Sequence, residues 1–299
     1  MRTTHSQFQL PIILSFILES VSLIHAGERI DRSYGQSEAD MSSPAWIWSA
    51  GATLAGGHRT TELQSAPAGY ASAYGTLSRK FDSGPLVFGA ASSHWWEFVE
   101  FERLWQNSFS TAVQFGSETS RFTLFPRILL QSLDWQSFSR QTDLTFDYTW
   151  GTPHLNAGVS LTVGYLRIID SRFEKFSGPV RELKAYAGLS DLDKLNFELA
   201  FTIGRSGLLD EALGISFTAN YLPARPWTLS LTNQISQSLV NPEGLFKGLS
   251  AQIGYKVNRE VSLSFAQSYE SYGTFNSVEP SKESRSTAGL IVALTNVNE

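Results

Sequence analysis

The stretch Leu155–Tyr165 reads LNAGVSLTVGY, with an apolar side chain at every second position and Asn, Gly, Ser or Thr between them. Successive side chains of a β-strand point to opposite faces, so the pattern predicts a strand with one apolar face and one polar face. Runs of this kind last about 10 to 12 residues in this chain, whereas strands of soluble domains centre on about 5 to 6. That length is typical of a tilted, membrane-crossing strand.

The same alternation recurs on both sides of this segment. It is found at 143–150, 195–203, 213–221, 227–231, 249–255 and 261–269. Alternation alone leaves a soluble β-sandwich open, because the apolar faces of a sandwich pack against a second sheet. The connections separate the two folds, since short turns alternate with longer loops from Trp150 onward. Up-and-down membrane barrels have that asymmetry, whereas a Greek-key sandwich gives no reason for it.

The predicted fold is therefore all-β, an antiparallel up-and-down transmembrane β-barrel of about 12 to 14 strands, with fourteen as the preferred count. Six strands are placed in the front half of the chain, at 46–56, 68–81, 85–93, 109–117, 121–131 and 139–150. Within this half, the turns at 82–84 and 118–120 are expected to be short. The connections between them are expected to be long, as in the second half.

Composition supports a membrane barrel and excludes other classes. Charged residues make up 17% of the chain, against about 25% in ordinary soluble domains. The mean hydropathy of -0.13 is nevertheless too polar for a helical membrane protein. The net charge of -5 and the lack of a basic run argue against a nucleic-acid partner. The chain has no cysteine, which excludes disulfides, thiolate nucleophiles and cysteine metal sites.

The chain before the first strand divides into two predicted segments. Residues 1–26 have the features of a secretory signal peptide, with Arg2 ahead of the apolar stretch Leu10–Leu18 and Ala26 at the cleavage site. Residues 27–45 are polar and aperiodic, which predicts a flexible lead-in. Residues 46–299 are assigned to the barrel.

The patterned runs and alternating connections extend over about 250 residues and resemble those of Gram-negative outer-membrane barrel proteins. Size and strand count are most similar to monomeric porins of the OmpG type. Barrels grouped with phenol-degradation-pathway outer-membrane proteins are a second similar group. The resemblance is one of architecture. It implies a location in the outer membrane, contact with outer-membrane lipid, insertion by the barrel-assembly machinery and passage of small-molecule solutes.

With the apolar faces turned to lipid, a set of polar and charged side chains on consecutive strands is predicted to line the pore. The set is Arg121, Arg127, Asp143, Asp147, Glu182, Lys184, Tyr186, Asn196 and Glu198. Charged clusters of that kind determine conductance and ion preference in channels. The alternative is that these groups pair with neighbours or water and have no effect on conductance or ion preference. Elsewhere the inward positions are mostly Ser, Thr and Gly, so an open, water-filled lumen is expected.

The aromatic segment 94–105, HWWEFVEFERLW, is compatible with several structures. It fits a loop folded into the lumen as a constriction, a lid or anchor at the membrane interface, or another strand pair. The candidate constriction or lid residues are His94, Trp95, Trp96, Phe98, Phe101 and Trp105.

No catalytic or metal site is predicted. Ser93 and His94 are adjacent, so on a strand they point to opposite faces and make a poor nucleophile–base pair. No two histidines have metal-ligand spacing, and no glycine-rich phosphate loop is recognised, so no cofactor and no enzymatic activity are expected. The sequence predicts an outer-membrane channel for passive diffusion of small solutes. A transporter of apolar small molecules and a structural or adhesion barrel with a plugged lumen are the alternatives.

Overall fold

The computed structural model describes most of the chain from Trp46 onward. The described ranges are 46–61, 65–80, 86–98, 103–117, 119–152, 154–171, 173–191, 195–205, 211–222, 226–240, 245–258, 260–272 and 281–295. The predicted signal peptide and lead-in, residues 1–45, lie outside the described residues.

Within these ranges the chain forms fourteen β-strands and one short 3-10 turn, Glu174–Phe176. The strands are β1 Trp46–Thr61, β2 Ser65–Lys80, β3 Leu86–Phe98, β4 Leu104–Gly116, β5 Ser120–Leu133, β6 Gln136–Gly151, β7 Leu155–Ile168, β8 Gly178–Asp191, β9 Leu195–Arg205, β10 Ala212–Tyr221, β11 Trp227–Ser238, β12 Leu245–Lys256, β13 Val261–Tyr272 and β14 Ser281–Thr295. Among the described residues, no helix is long and apolar enough to cross a membrane.

Each strand pairs with its neighbours in sequence, and β1 pairs with β14 to close the barrel. Leu54 of β1, for example, lies opposite Leu290 of β14 and Ala71 of β2. All of the strand pairs in the described barrel are antiparallel. The structure therefore confirms the antiparallel, up-and-down barrel that the sequence predicts.

The two faces of the wall differ in side-chain type, as the alternation predicts. Along β7, Val159, Leu161 and Val163 are exposed on the outer surface, whereas Ser160 and Thr162 between them are partly buried. The same alternation holds in β9 to β13, where Leu, Ile, Phe, Tyr and Trp occupy the outer positions. An apolar outer surface next to a polar inner surface is the arrangement of a barrel surrounded by lipid.

The connections lie at two ends of the barrel. One end carries the short links 152–154, 192–194 and 257–260, and we call it the turn end. The other end carries the segment 169–177 and the link 273–280, and we call it the loop end.

The prediction of long loops in the front half of the chain is wrong. At the loop end, β1 and β2 are separated by 62–64, β3 and β4 by 99–103, and β5 and β6 by only 134–135. The strands there continue further than the clearest alternation, because β1 and β2 pair as far as Thr60 and Ser65. Backbone pairing extends them through the glycine- and alanine-rich sequence, where side-chain pattern carries little signal.

Candidate pore wall

All nine predicted pore-lining residues lie on strands β5, β6, β8 and β9, at positions that alternate with the exposed apolar residues. Arg127, for instance, lies between the exposed Pro126 and Ile128. Because side chains alternate across a strand, the set shares the inner face of the barrel. Their role in conduction stays a prediction.

Arg127 and Asp143 form an ion pair on the inner wall. They are directly opposite each other on β5 and β6, and Arg127 Nη2 lies 2.9 Å from Asp143 Oδ2. The Asp143 side chain is only 1% exposed. Gln141 also donates to this carboxylate, with Nε2 at 2.7 Å from Oδ2. A buried carboxylate that accepts from an arginine and an amide is held in a fixed position.

Tyr186 connects three neighbouring strands. Its partner on β7 is Gly158, and the tyrosine ring covers that glycine so closely that an added Cβ would lie 2.3 Å from Tyr186 Cζ. Because Gly158 has no side chain, the ring can cross β7 and reach β6. The hydroxyl there lies 2.6 Å from Thr149 Oγ1 and donates to the Asp147 carboxylate at 3.2 Å.

Lys184 and Glu198 extend the polar wall to β9. Lys184 Nζ lies 3.4 Å from Glu198 Oε1, and the same ammonium is 5.3 Å from the centre of the Tyr186 ring. Both side chains are partly exposed, so water screens this pair more than the Arg127–Asp143 pair. The structure thus brings six of the nine predicted residues into direct contacts with one another (Arg127, Asp143, Asp147, Lys184, Tyr186 and Glu198), while Arg121, Glu182 and Asn196 lie on the same face.

The sequence analysis did not predict a buried amide network beside the charged pairs. Gln131 on β5 donates to Gln106 on β4 at 3.0 Å and accepts from Ser139 on β6 at 2.6 Å. All three residues are buried. Only the register of three strands places these side chains in contact, and the sequence alone does not give that register.

The inner face near the loop end also carries apolar side chains that the sequence analysis assigned to no role. They are Leu129, Leu133, Leu166, Ile168 and Val180. A signal for them exists in the unbroken run Ile128–Leu130, because a strand that is apolar at consecutive positions is covered on both faces. We call these five residues the inner apolar cluster.

The segment 169–177 packs against the wall close to the inner apolar cluster. Phe138, the extra residue at a β-bulge in β6, makes an edge-on contact with Phe173 at 6.0 Å between ring centres. Arg205 of β9 donates to the Phe176 carbonyl at 2.5 Å, and the Ile168 amide donates to Ser177 Oγ. Two strands and a ring contact therefore hold this segment at the loop end.

The wall formed by β10 to β13 is different, because short inner side chains predominate there, although a few are long, among them Gln234, Phe246 and Gln252. The short ones include Ser216, Thr218, Ser230, Thr232, Ser262 and Ser264. Fourteen strands, spaced by about 4.8 Å and tilted by about 40°, give a barrel about 28 Å across between backbones. Side chains of this size reach only a small part of that width. The lumen is consequently asymmetric, with a crowded charged wall on β5 to β9 and a hydroxyl-lined wall opposite.

The aromatic segment 94–105 belongs to strands wherever its backbone is described. Residues 94–98 end β3 and pair with β2, and Trp105 near the start of β4 pairs with Trp95. Phe101 lies outside the described residues. This corrects the alternative of a loop folded into the lumen, because backbone pairing holds 94–98 in the wall. Of the alternatives, the strand pair agrees with this pairing. A constriction by the side chains of His94, Trp95, Trp96 and Phe98 stays a prediction.

Trp105 itself shares the outer face of β4 with the exposed Phe109. Its ring lies edge-on to Trp135, with 5.3 Å between centres. The indole N–H donates to Ser93 Oγ at 2.8 Å. A tryptophan with an apolar body and a satisfied N–H at the end of a strand is typical of a membrane-interface anchor rather than a lumen constriction.

The described residues contain no group of three or more His, Asp or Glu side chains placed to hold a metal ion. No family model and no curated protein sequence matches the chain.

Solved structures do match it in fold. The toluene transporter TodX of Pseudomonas putida superposes with a TM-score of 0.50 at 9% identity, over 84% of this chain and 90% of its own. An anion-selective porin from Comamonas acidovorans superposes with a TM-score of 0.50 at 7% identity, over 84% of this chain and 99% of its own. The fold is that of an outer-membrane β-barrel. At these identities the likeness concerns the fold alone.

Proposed function

We propose that the chain is exported through its segment 1–26, is inserted into the outer membrane by the barrel-assembly machinery, and there forms a channel for passive diffusion of small polar solutes. The observation that supports this most directly is the contrast between the two faces of one closed sheet. The outer face carries exposed Leu, Ile, Phe and Trp side chains, and the inner face carries charged pairs and hydroxyls.

The asymmetry of the lumen indicates which solutes would pass. The charged wall carries three basic side chains (Arg121, Arg127, Lys184) and four acidic ones (Asp143, Asp147, Glu182, Glu198), so it offers no large field of one sign. The hydroxyl-lined wall offers donors and acceptors to neutral, hydrogen-bonding solutes. Passive passage requires sites that bind weakly enough to release the solute, and short hydroxyl side chains in water have that property.

Reconstitution into planar bilayers tests the proposal. Purified, refolded chain should produce stepwise conductance that rises in proportion to KCl concentration, as expected of a water-filled pore. Liposomes containing the protein should swell in small sugars and more slowly in larger ones. Heat-denatured protein is the control. Insertion without conductance or swelling would contradict a diffusion channel and favour a structural barrel with a plugged lumen.

A channel for apolar small molecules is the second candidate, and the inner apolar cluster favours it. Its five apolar side chains lie on the inner face near the loop end, where a sugar channel needs none, and they are 2–7% exposed, so an apolar solute would reach them only where the packing around them opens. Uptake of a monoaromatic hydrocarbon into the same liposomes, compared with Leu166→Ser and Ile168→Ser variants, distinguishes the two. Uptake reduced in the variants with sugar permeation retained would favour the second candidate, and equal uptake would favour the first.

A further inference from the structure

The exposed charges that the structure describes on the outer face of the wall are all basic. They are Arg140, Arg167, Arg181 and Lys247; a fifth exposed strand cation, Lys256, alternates with the outer Tyr255 at the end of β12. The chain as a whole is acidic, with a net charge of -5. The acidic strand side chains that the structure describes, such as Asp143 and Glu198, lie instead on the inner face. The outer charges that the structure describes are therefore basic, although the chain as a whole is acidic.

Two of these arginines are placed directly opposite each other. Arg140 of β6 and Arg167 of β7 are register partners, so their Cα atoms are separated by about 5 Å. Like charges in that position destabilise a strand pair. Within the described part of the chain, neither guanidinium has a hydrogen bond or an ion pair. The pair is thus an uncompensated cationic feature of the outer wall.

The depth of the pair follows from the register of β6 and β7. Outward from the middle of the wall, successive outer rows are Phe146 with Leu161, Leu144 with Val163, Thr142 with Tyr165, and then Arg140 with Arg167. Rows two residues apart along a strand are separated by about 7 Å. Tyr165, which is 52% exposed, marks the level at which tyrosine meets the headgroups. The arginine pair lies one row beyond it, at the loop end.

We propose that Arg140 and Arg167 together bind the phosphate of an anionic lipid in the leaflet at the loop end. Guanidinium groups donate paired hydrogen bonds to phosphate oxygens, and two opposed arginines present such donors from both sides. A phosphate between them removes the repulsion that the register creates. The inference rests on the proposed membrane function, because the outer face contacts lipid only in a membrane-inserted barrel.

Lipid binding to the purified full chain in detergent tests the inference, with native mass spectrometry as the readout. The probes are phosphatidylglycerol, a bis-phosphorylated lipid A and neutral phosphatidylcholine. A basic side chain near an anionic lipid surface contributes about fivefold in affinity. Arg140→Gln/Arg167→Gln should therefore weaken binding of the anionic lipids by on the order of 25-fold if the two contributions add. Phosphatidylcholine binding should not change.

Two matched variants control the experiment. Lys247→Gln removes an exposed cation of the same outer face on β12 and should leave the affinity unchanged, whereas Arg140→Lys/Arg167→Lys should bind more tightly than the glutamine pair. The urea midpoint of each variant verifies that it is folded. If the wild-type protein binds one of the two anionic lipids more tightly, that lipid is the source of the phosphate. Weaker binding of both anionic lipids by Arg140→Gln/Arg167→Gln supports recognition of the phosphate that they share. Equal affinity of wild-type and glutamine-pair proteins for anionic lipid overturns the inference. The proposed channel would survive that result if wild-type protein still conducts, and would fail only if it does not.

Discussion

Gly158→Ala perturbs the contact that joins three strands of the charged wall. The added methyl group would lie 2.3 Å from Tyr186 Cζ, a distance at which the ring must move away from β7. Moving the ring separates its hydroxyl from Thr149 at 2.6 Å and from the Asp147 carboxylate at 3.2 Å. The substitution therefore acts on hydrogen bonds that alanine itself does not touch.

The magnitude follows from the bonds that are lost. A hydrogen bond to a neutral hydroxyl contributes about 1 kcal/mol, and one to a carboxylate about 1.5–3 kcal/mol. Replacing a strand glycine by alanine returns about 0.5–1 kcal/mol of conformational free energy. The net free energy of unfolding should consequently fall by about 1.5–3.5 kcal/mol.

Urea unfolding in detergent micelles, followed by tryptophan fluorescence, measures the change. Gly56→Ala is the matched control, because nothing lies within 4 Å of the Cβ position there, and its stability should be unchanged or slightly raised. In a Tyr186→Ala background, Gly158→Ala should lose most of its effect, since no ring remains to be displaced. Equal midpoints for wild type and Gly158→Ala would refute the packing described for Tyr186.

Three further outcomes are expected. Arg127→Met should lower the free energy of unfolding by about 3–5 kcal/mol, because it leaves the 1%-exposed Asp143 carboxylate without its arginine; a urea midpoint equal to that of wild type would contradict this. Lys184→Gln should shift the reversal potential in a KCl gradient toward cation preference, because it removes a cation from the inner wall, and an unchanged potential would show that this wall does not affect selectivity. Trp135→Ala should cost about 0.5–1.5 kcal/mol through the loss of its edge-on contact with Trp105, measured by the same urea titration, with no loss contradicting the contact.

The fold could be predicted from the sequence because lipid imposes a period of two on every strand. Where the outer residues are large, as from Leu155 to Tyr165, the two faces of the strand follow from the side chains alone. The front half departs from the prediction because β1 and β2 contain many Gly, Ala and Ser residues. Those residues fit both faces, so only backbone pairing decides how far the strands extend.

The sequence predicts which side chains lie on the inner wall, but it does not predict which of them are in contact. Alternation places Asp147 and Tyr186 on the inner side, yet they meet only because Gly158 leaves room for the ring to cross β7. The inner apolar cluster departs from the assumption that apolar residues face lipid. Leu166 and Ile168 are buried on the inner side of the wall, and the Ile168 amide donates to Ser177 of the segment 169–177, a contact that the sequence pattern of β7 does not indicate.

Single cysteines can show which face of a strand contacts lipid and which contacts water, because the natural chain contains no cysteine. Ser264 of β13 lies between Gly254 and Gly289 of the adjacent strands, so nothing large shields its inner position. In protein reconstituted into liposomes, Ser264→Cys should react rapidly with a water-soluble, membrane-impermeant maleimide, whereas Leu263→Cys and Phe265→Cys should react slowly and become reactive once lipid is removed. Rapid labelling of the two flanking positions in the bilayer, with Ser264→Cys protected, would mean that the barrel is not surrounded by lipid and encloses no water.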